Sequence, residues 1–227
     1  MTHPLILLVG EELQVLDIWA YALKRVGYET VCLTSLKAAR EWRSENTADL
    51  IVLDENTPHK ETPLHVQHLR AQAHEPIMWL TPKDYERCLE AYRVGADECC
   101  SKPISPELFL AKVQAWLRHS GHPLTAQAQT IKRGEFELFP ETLEVRVADR
   151  RVTLTTLEFR LLQMLILRAD QVVPSNELIK RVWGYEPGLE GAVLKNTIYR
   201  LRRKVEPSAA DPRHIISVVG EGYLFRP

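Results

Sequence analysis

Five polar side chains in the first half of the chain fall just after apolar segments, where charged ligands could bind. In chain order they are Glu11, Glu12, Asp54, Thr81 and Lys102. In open α/β sheets, ligands bind beyond the carboxyl ends of the strands. Carboxylate oxygens are ligands that Mg²⁺ prefers, and phosphoryl chemistry needs a metal, a nucleophile and a cation near the oxygens. The set is therefore a candidate binding site for a charged ligand.

A basic segment near the carboxyl end carries a second kind of chemistry. Residues 193–205 contain five Lys or Arg side chains and no acid. Leu194, Ile198, Leu201 and Val205 recur at helical spacing, which predicts one apolar stripe. A DNA major groove admits an α-helix, and Arg and Asn suit guanine and adenine edges. The predicted DNA contacts on this helix are Lys195, Asn196, Thr197, Tyr199, Arg200, Arg203 and Lys204. The alternative is a merely solvated helix, which would usually mix Glu among its cations.

The acidic set needs a sheet to bring it together, and the first half of the sequence predicts one. Continuous apolar runs at residues 5–9, 50–53 and 76–80 are typical of strands buried on both faces. Shorter strands are predicted at 31–33 and 98–101, and helices at 13–26, 36–43, 84–94 and 105–118, the last capped by Ser105. Five strands alternating with helices predict a doubly wound parallel α/β sheet.

The second half changes character after a stretch of small polar residues. We divide the chain into residues 1–119, a linker at 120–130 and residues 131–227. Three short antiparallel strands are predicted at 135–138, 144–148 and 152–153, then helices at 157–168, 176–183 and 191–205, then a hairpin at 215–225. Thr155 and Glu158 form a capping box at the start of the first of these helices. The second unit is predicted to be an α+β domain.

Composition excludes several classes of protein. The net charge of −1 divides into −4 for residues 1–125 and +3 for residues 126–227, which suggests two units with different partners. The longest apolar runs fall short of the ~18 residues of a membrane span, and residues 1–9 do not resemble a signal peptide. The four cysteines do not predict a disulfide framework, so we expect a cytoplasmic protein with reduced, buried cysteines.

The first unit resembles the receiver domain of bacterial response regulators. The resemblance rests on Asp54 after the third strand, on Pro58 and Thr81, and on the pair Lys102-Pro103. It implies that Asp54 accepts a phosphoryl group from a sensor histidine kinase, and that Thr81 and Lys102 contact the phosphoryl oxygens. The peptide bond before Pro103 is expected to be cis.

The same resemblance implies a Mg²⁺ site that departs from the family pattern. Its ligands would be Asp54, the backbone carbonyl of Asn56 and two acids after the first strand. Gly10 stands at the first of those two positions unless a one-residue shift brings in Glu11 and Glu12. Pro82 follows Thr81 where a small residue is typical. Cys99 stands where a switch aromatic should couple phosphorylation to the output face. We therefore expect weak Mg²⁺ binding and weak coupling.

Residues 131–227 resemble the winged-helix output domain of OmpR/PhoB-type response regulators. The landmarks are the segments 154–162, 182–184, 200–204 and 220–225. The resemblance implies that the third helix enters the major groove of double-stranded DNA, and that the loop at 183–192 faces RNA polymerase.

The wing of this domain is predicted to contact DNA through Ser217 and Gly220. Val219 stands where the wing often has an arginine, so we expect those contacts to use backbone amides. On the preceding helix, Arg200 is expected to contact a base and Lys204 a phosphate.

Together the resemblances imply a DNA-binding transcription regulator that is gated by its receiver and is not an enzyme. A homodimer is expected to form through the receiver, on a face that carries Arg87, Asp97, Glu98, Lys112 and Arg118. The alternative is an atypical regulator controlled without phosphorylation, by a partner protein, a ligand or redox state. A hydrolase with Asp54 as nucleophile is disfavoured, because Asn56 stands where those enzymes commonly have a second acid.

Overall fold

The chain forms two compact units, residues 1–121 and 122–227. The computed structural model describes residues 3–82, 84–120, 130–183 and 190–227, without the side chains of 118–120 and 190–192.

The first unit is a parallel sheet flanked by helices. Its strands are β1 (Leu5–Gly10), β2 (Glu29–Leu33), β3 (Leu50–Asp54), β4 (Ile77–Pro82) and β5 (Glu98–Lys102). Its helices are α1 (Leu13–Arg25), α2 (Leu36–Arg43), α3 (Thr62–Gln72), α4 (Tyr85–Val94) and α5 (Pro106–Ser120). The strand order is β2-β1-β3-β4-β5, with neighbouring strands parallel. This topology confirms the predicted doubly wound fold.

The sequence explains where these elements lie and how they end. The apolar runs of β1 and β3 occupy the middle of the sheet, where helices cover both faces and the strand residues are buried. The predicted Ser105 cap is confirmed, since its Oγ accepts a hydrogen bond from the backbone N–H of Leu108 at 3.2 Å. Helix α4 is capped by Asp84 and ends at Gly95, whose φ of +116° is one that glycine adopts without strain.

The second unit combines two small antiparallel sheets with three helices. One sheet contains β6 (Ile131–Arg133), β7 (Phe136–Phe139), β8 (Glu144–Val147) and β9 (Arg150–Thr153). The other has β10 (Val172–Pro174) and β11 (Ile215–Val218) on either side of β12 (Gly222–Phe225). The helices are α6 (Thr156–Leu167), α7 (Ser175–Trp183) and α8 (Glu190–Val205). The predicted α+β architecture and the Thr155–Glu158 capping box are both confirmed.

Two strands of this unit, β6 and β10, were not predicted. Strand β6 has three residues, with two exposed cations and no buried side chain, so it shows no alternating pattern. Strand β10 buries only Val173 and ends in proline. It is held against β12 because Gly222 allows a close approach: a Cβ there would lie 2.0 Å from the carbonyl oxygen of Val173.

Two other predictions fall mainly outside the described residues. Most of the linker lies at 121–129, and helix α5 continues to Ser120, slightly beyond its predicted end. The loop predicted to face RNA polymerase has residues 184–189 outside the described ranges. Within those ranges, none of the helices combines the length and apolar character that a membrane span requires.

Candidate functional site

Asp54 lies at the carboxyl end of β3 with both carboxylate oxygens hydrogen-bonded. The predicted lysine is in place, since Lys102 Nζ donates to Asp54 Oδ1 at 2.9 Å. The second oxygen, Oδ2, accepts the indole N–H of Trp19 at 2.8 Å. The Asp54 residue is only 5% exposed. The carboxylate is therefore satisfied by two N–H donors that approach from α1 and from β5.

The predicted metal ligands other than Asp54 are engaged with neighbouring side chains. Glu11 is exposed and pairs with His59 Nε2 at 2.9 Å. Glu12 Oε1 accepts from Asn56 Nδ2 at 2.7 Å, and Asn56 Oδ1 accepts from Lys102 Nζ. In the described part of the chain, His, Cys, Asp and Glu side chains form no group of three that could hold a metal ion.

The first acidic position of the family pattern is also closed to a side chain. Gly10 lies beside Asp54 in the sheet register. A Cβ on Gly10 would lie 2.8 Å from the backbone oxygen of Asp54 and 3.0 Å from Leu16 Cδ2. An acid here would push against the backbone, and an N–H donor already points at each oxygen of Asp54. As arranged, these side chains form no ready Mg²⁺ site, because Asp54 already accepts from Lys102 and Trp19 and the nearby Glu12 accepts from Asn56.

Thr81, predicted to contact phosphoryl oxygens, donates its hydroxyl to Glu55. The Thr81 side chain is buried, and its hydroxyl donates to Glu55 Oε2 at 3.1 Å. The same oxygen accepts from Arg87 Nε at 2.9 Å, and Arg87 Nη2 also donates to the carbonyl oxygen of His59 at 2.8 Å. Burial alone would raise the pKa of Glu55, but the hydrogen bonds and positive charge of Arg87 hold it below its ordinary value.

Trp19 and the Glu55–Arg87 pair make contacts in and beside the site that the sequence did not predict. The sequence offered one usable signal, which is that Trp19 lies on the same helical face as Leu16 and Leu23. Glu55 gives no comparable signal, because the sequence alone does not distinguish an exposed glutamate from one that is buried and paired.

The expectation that all cysteines are reduced is wrong in this structure, because Cys88 and Cys99 form a disulfide bond. The bond joins α4 to β5 at the position where a switch aromatic was expected. Cys32 and Cys100 are free, and Cys100 is buried as a small apolar side chain.

The charged residues expected on a dimer face are largely engaged within the first unit. Arg87 is buried against Glu55. The other ion pairs are Asp97 with Arg70 at 2.7 Å and Glu98 with Lys112 at 2.9 Å. The Arg118 side chain lies outside the described residues. The four paired side chains are therefore less available for ion pairs between subunits than the sequence suggested.

Helix α8 buries the stripe that the sequence predicted and exposes part of its basic face. Its stripe of Leu194, Ile198, Leu201 and Val205 is at most 2% exposed. On the polar face, Lys195 and Arg203 are exposed, Asn196 is partly exposed and Tyr199 is 55% exposed. These four side chains form a surface that a duplex can reach, which we call the α8 polar face.

Three other predicted DNA contacts on α8 are directed into the protein. Lys204 Nζ pairs with Glu158 Oε2 at 2.8 Å, and Arg200 Nε lies 3.8 Å from Glu158 Oε1. Thr197 is buried, and its hydroxyl donates to the carbonyl oxygen of Val193 at 3.0 Å. Burial of Glu158 would raise its pKa, but Lys204 and Arg200 lower it below the ordinary value.

The β11–β12 hairpin forms a wing whose turn carries no cation and one exposed acid, Glu221. Val219 is 96% exposed, and Gly220 has a φ of +79° with open space around it. Ser217 is exposed, but its hydroxyl accepts a hydrogen bond from Arg202 Nη2 at 2.9 Å. Arg202 also donates to the carbonyl oxygen of Ile215, so this cation supports the wing from beneath.

Two protein families match the chain, one for each unit. Residues 6–114 match the family described as "Response regulator receiver domain". Residues 149–225 match the family described as "Transcriptional regulatory protein, C terminal".

Curated relatives are similar along nearly their whole length. The "DNA-binding dual master transcriptional regulator RpaA" of Synechocystis sp. is 30% identical over 98% of this chain and 95% of its own. The "Sensory transduction protein RegX3" of Mycobacterium tuberculosis is 30% identical over 96% of this chain and 97% of its own. A solved structure of a RitR mutant superimposes with a TM-score of 0.76 over 98% of this chain and 99% of its own. Its 22% identity shows a shared fold alone.

Proposed function

The chain belongs to the OmpR/PhoB-type response regulators, which join a receiver domain to a C-terminal transcriptional regulatory domain, and from this premise we propose how it reaches DNA and how it is controlled. It binds promoter DNA as a dimer by placing α8 in the major groove. The receiver unit determines when binding occurs. It acts in the cytoplasm with RNA polymerase as partner, and it turns over no substrate.

The α8 polar face carries this proposal. It presents two cations, an amide and a phenol on a helix whose opposite face is anchored in the core. Arg, Lys and Asn are side chains that read base edges or contact phosphates. The wing adds backbone amides and Ser217 without a cation at its tip. Binding energy should therefore come mainly from α8.

Selection of a duplex from a random library with the full chain tests the proposal. Lys195→Ala and Arg203→Ala should each weaken binding to the selected duplex in fluorescence anisotropy, by about 1–3 kcal/mol for a base contact. Lys132→Ala is the matched control, because it removes an exposed cation from β6. A full chain with no preference for any duplex over random competitor would contradict the proposal.

The environment of Asp54 favours control without phosphorylation over the usual phosphoryl transfer. Phosphoryl transfer to a carboxylate depends on a metal ion and on groups that contact the phosphoryl oxygens. In this protein Trp19 occupies the Asp54 oxygen that Lys102 does not, Gly10 leaves no room for an acid, and Thr81 is held by Glu55. Phosphorylation by a sensor histidine kinase is the competing proposal. It would require Trp19 to leave Asp54 and Mg²⁺ to find other ligands.

Intact mass after treatment with a small-molecule phosphodonor, with and without Mg²⁺, distinguishes the two modes. We expect the wild-type chain to gain no adduct of about 80 Da, the mass of one phosphoryl group. Trp19→Phe should be the variant most able to react, and Asp54→Ala serves as the blank. A Mg²⁺-dependent adduct on the wild type that disappears in Asp54→Ala would establish phosphorylation instead.

A further inference from the structure

The disulfide between Cys88 and Cys99 ties α4 to β5. The two Cα atoms are 5.6 Å apart, inside the usual range of about 4.4–6.8 Å for bonded cysteines. The folded backbone therefore holds the two sulfur atoms ready to form the bond. We propose that this pair is a reversible thiol–disulfide site whose oxidation state sets the attachment of α4, and through it the affinity of the chain for DNA. The DNA readout rests on the proposed function, whereas the thiol chemistry does not.

Helix α4 is attached to the sheet by this bond and by two polar contacts beside it. The residue before Cys88 is Arg87, whose buried guanidinium holds Glu55 at the end of β3. One turn later, the hydroxyl of Tyr92 accepts the backbone N–H of Cys99 at 3.0 Å. The disulfide is the covalent attachment among the three, and mild thiol chemistry can remove it. Reduction would leave α4 held by these polar contacts and by its buried apolar face, which includes Ala91.

The position of the pair links it to the Asp54 site and to the edge of the sheet. Strand β5 is an outer strand of the sheet. Arg87 reaches Glu55, which is next to Asp54 in sequence and binds the hydroxyl of Thr81. A movement of α4 therefore disturbs the hydrogen bond that holds Thr81, the residue expected to contact the phosphoryl oxygens in a conventional receiver. The covalent state of Cys88 and Cys99 would replace the phosphoryl group as the input.

The other two cysteines are poor competitors for this chemistry. The thiolate is the attacking species in disulfide exchange. Burial raises the pKa of the Cys100 thiol well above its ordinary value, and nearby Glu98 raises it further. Burial also raises the pKa of the Cys32 thiol.

The exchange balances with a low-molecular-weight disulfide as oxidant. Cys99 is partly exposed and Cys88 is buried, so the Cys99 thiolate attacks the reagent disulfide first. That step forms a mixed disulfide and releases one reagent thiolate. The Cys88 thiolate then attacks the Cys99 sulfur and releases the second. Two protons pass from the cysteines to the two reagent thiolates, and two electrons reduce the reagent. A dithiol reductant reverses both steps.

Titration of the full chain in mixtures of reduced and oxidised dithiothreitol tests the thiol chemistry. Free thiols are alkylated after acid quenching and unfolding, and the sites are identified by peptide mass. Cys88 and Cys99 should become labelled together in one reversible two-electron transition, while Cys32 and Cys100 stay labelled throughout. Labelling of Cys88 and Cys99 at every ratio would overturn the inference, whatever the chain does with DNA.

Two further measurements test the consequence for α4 and for DNA. Hydrogen exchange in residues 85–94 should be several-fold faster in the reduced chain and in Cys88→Ala than in the oxidised wild type. The affinity for the selected duplex should differ several-fold between the two redox states of the wild type. Cys99→Ala should give one affinity under both conditions, and Cys100→Ala should keep the wild-type response. If the cysteine pair titrates but both redox states bind the duplex equally well, the link from the pair to DNA is wrong. If neither state binds the duplex, the proposed function is wrong instead.

Discussion

The indole of Trp19 occupies one oxygen of the buried acid at the centre of the receiver site. A carboxylate that is 5% exposed must find donors or a cation for both oxygens, because burying an unpaired charge is costly. Lys102 supplies one donor and Trp19 the other. The Trp19 ring is itself fixed, since it packs against Phe109 with centroids 4.5 Å apart. Asp54 is therefore held by donors from the protein on both of its oxygens.

Trp19→Phe should destabilise the first unit, because it keeps most of the ring but removes the hydrogen bond to a buried carboxylate. Such bonds contribute about 1.5–3 kcal/mol. Urea unfolding should show this loss beyond that of Trp79→Phe, since the indole N–H of Trp79 is buried with no hydrogen-bond partner in the described residues. The Arg87 guanidinium also lies 5.1 Å from the centre of the Trp79 ring, and Trp79→Phe weakens that contact too. The measured difference between the two variants is therefore a lower bound on the contribution of the Trp19 hydrogen bond. Equal losses would mean that the Trp19 bond contributes nothing.

Glu158 should make the stability of the second unit dependent on acid. Its pKa is below the ordinary value in the folded state, so its contribution is present above the unfolded pKa and is lost as the pH falls through the folded pKa. Glu158→Gln can still cap α6 but leaves Lys204 and Arg200 without their anion. We expect a loss near the lower end of about 3–5 kcal/mol at neutral pH. Calorimetry of the full chain should also show a flatter acid limb, whereas an unchanged acid limb would contradict the assignment.

At the scale of elements, one buried ion pair contributes to the attachment of α4. Arg87 and Glu55 both have side chains at most 7% exposed. Breaking a buried pair by removing one partner typically costs about 3–5 kcal/mol, whereas replacing both partners by fitting neutral groups is often tolerated. Glu55→Gln should therefore destabilise the first unit by that amount in urea unfolding. The double variant with Arg87→Met should recover most of the loss, and a double variant as unstable as the single one would show that the pair is not the cause.

The elements were more predictable than the contacts between them. Apolar runs and helical stripes depend on neighbouring residues, so the sequence correctly indicated the sheet and the buried side of α8. The inward direction of Lys204 and Arg200 depends on Glu158, more than 40 residues away in sequence. The sequence predicted Glu158 as a helix cap, which it is, but not as the anion of a buried cluster. The Cys88–Cys99 bond was missed for a similar reason, because it requires the packing of α4 on β5.

At the scale of the whole molecule, charge is divided between the units in a way that suits a DNA-binding protein with net charge −1. Residues 1–125 carry −4 and residues 126–227 carry +3. Binding to a polyanion depends on the cations that reach phosphates rather than on the net charge. On α8, Glu158 already neutralises part of the basic run, so fewer cations are available than its sequence suggests.

The salt dependence of DNA binding should show how many cations of α8 contact phosphates. For B-DNA, the slope of log K against log salt changes by about 0.9 for each phosphate contact. If Lys195 and Arg203 contact phosphates, Lys195→Ala and Arg203→Ala should each reduce the slope by about that amount. Lys204→Ala should change it much less, because Lys204 Nζ is held by Glu158 and by the carbonyl oxygen of Thr153 at 3.3 Å. Anisotropy titrations of the selected duplex between about 50 and 200 mM salt cover the range in which such contacts are resolved. A loss of slope in Lys204→Ala equal to that in Arg203→Ala would show that the Glu158 cluster opens when DNA binds.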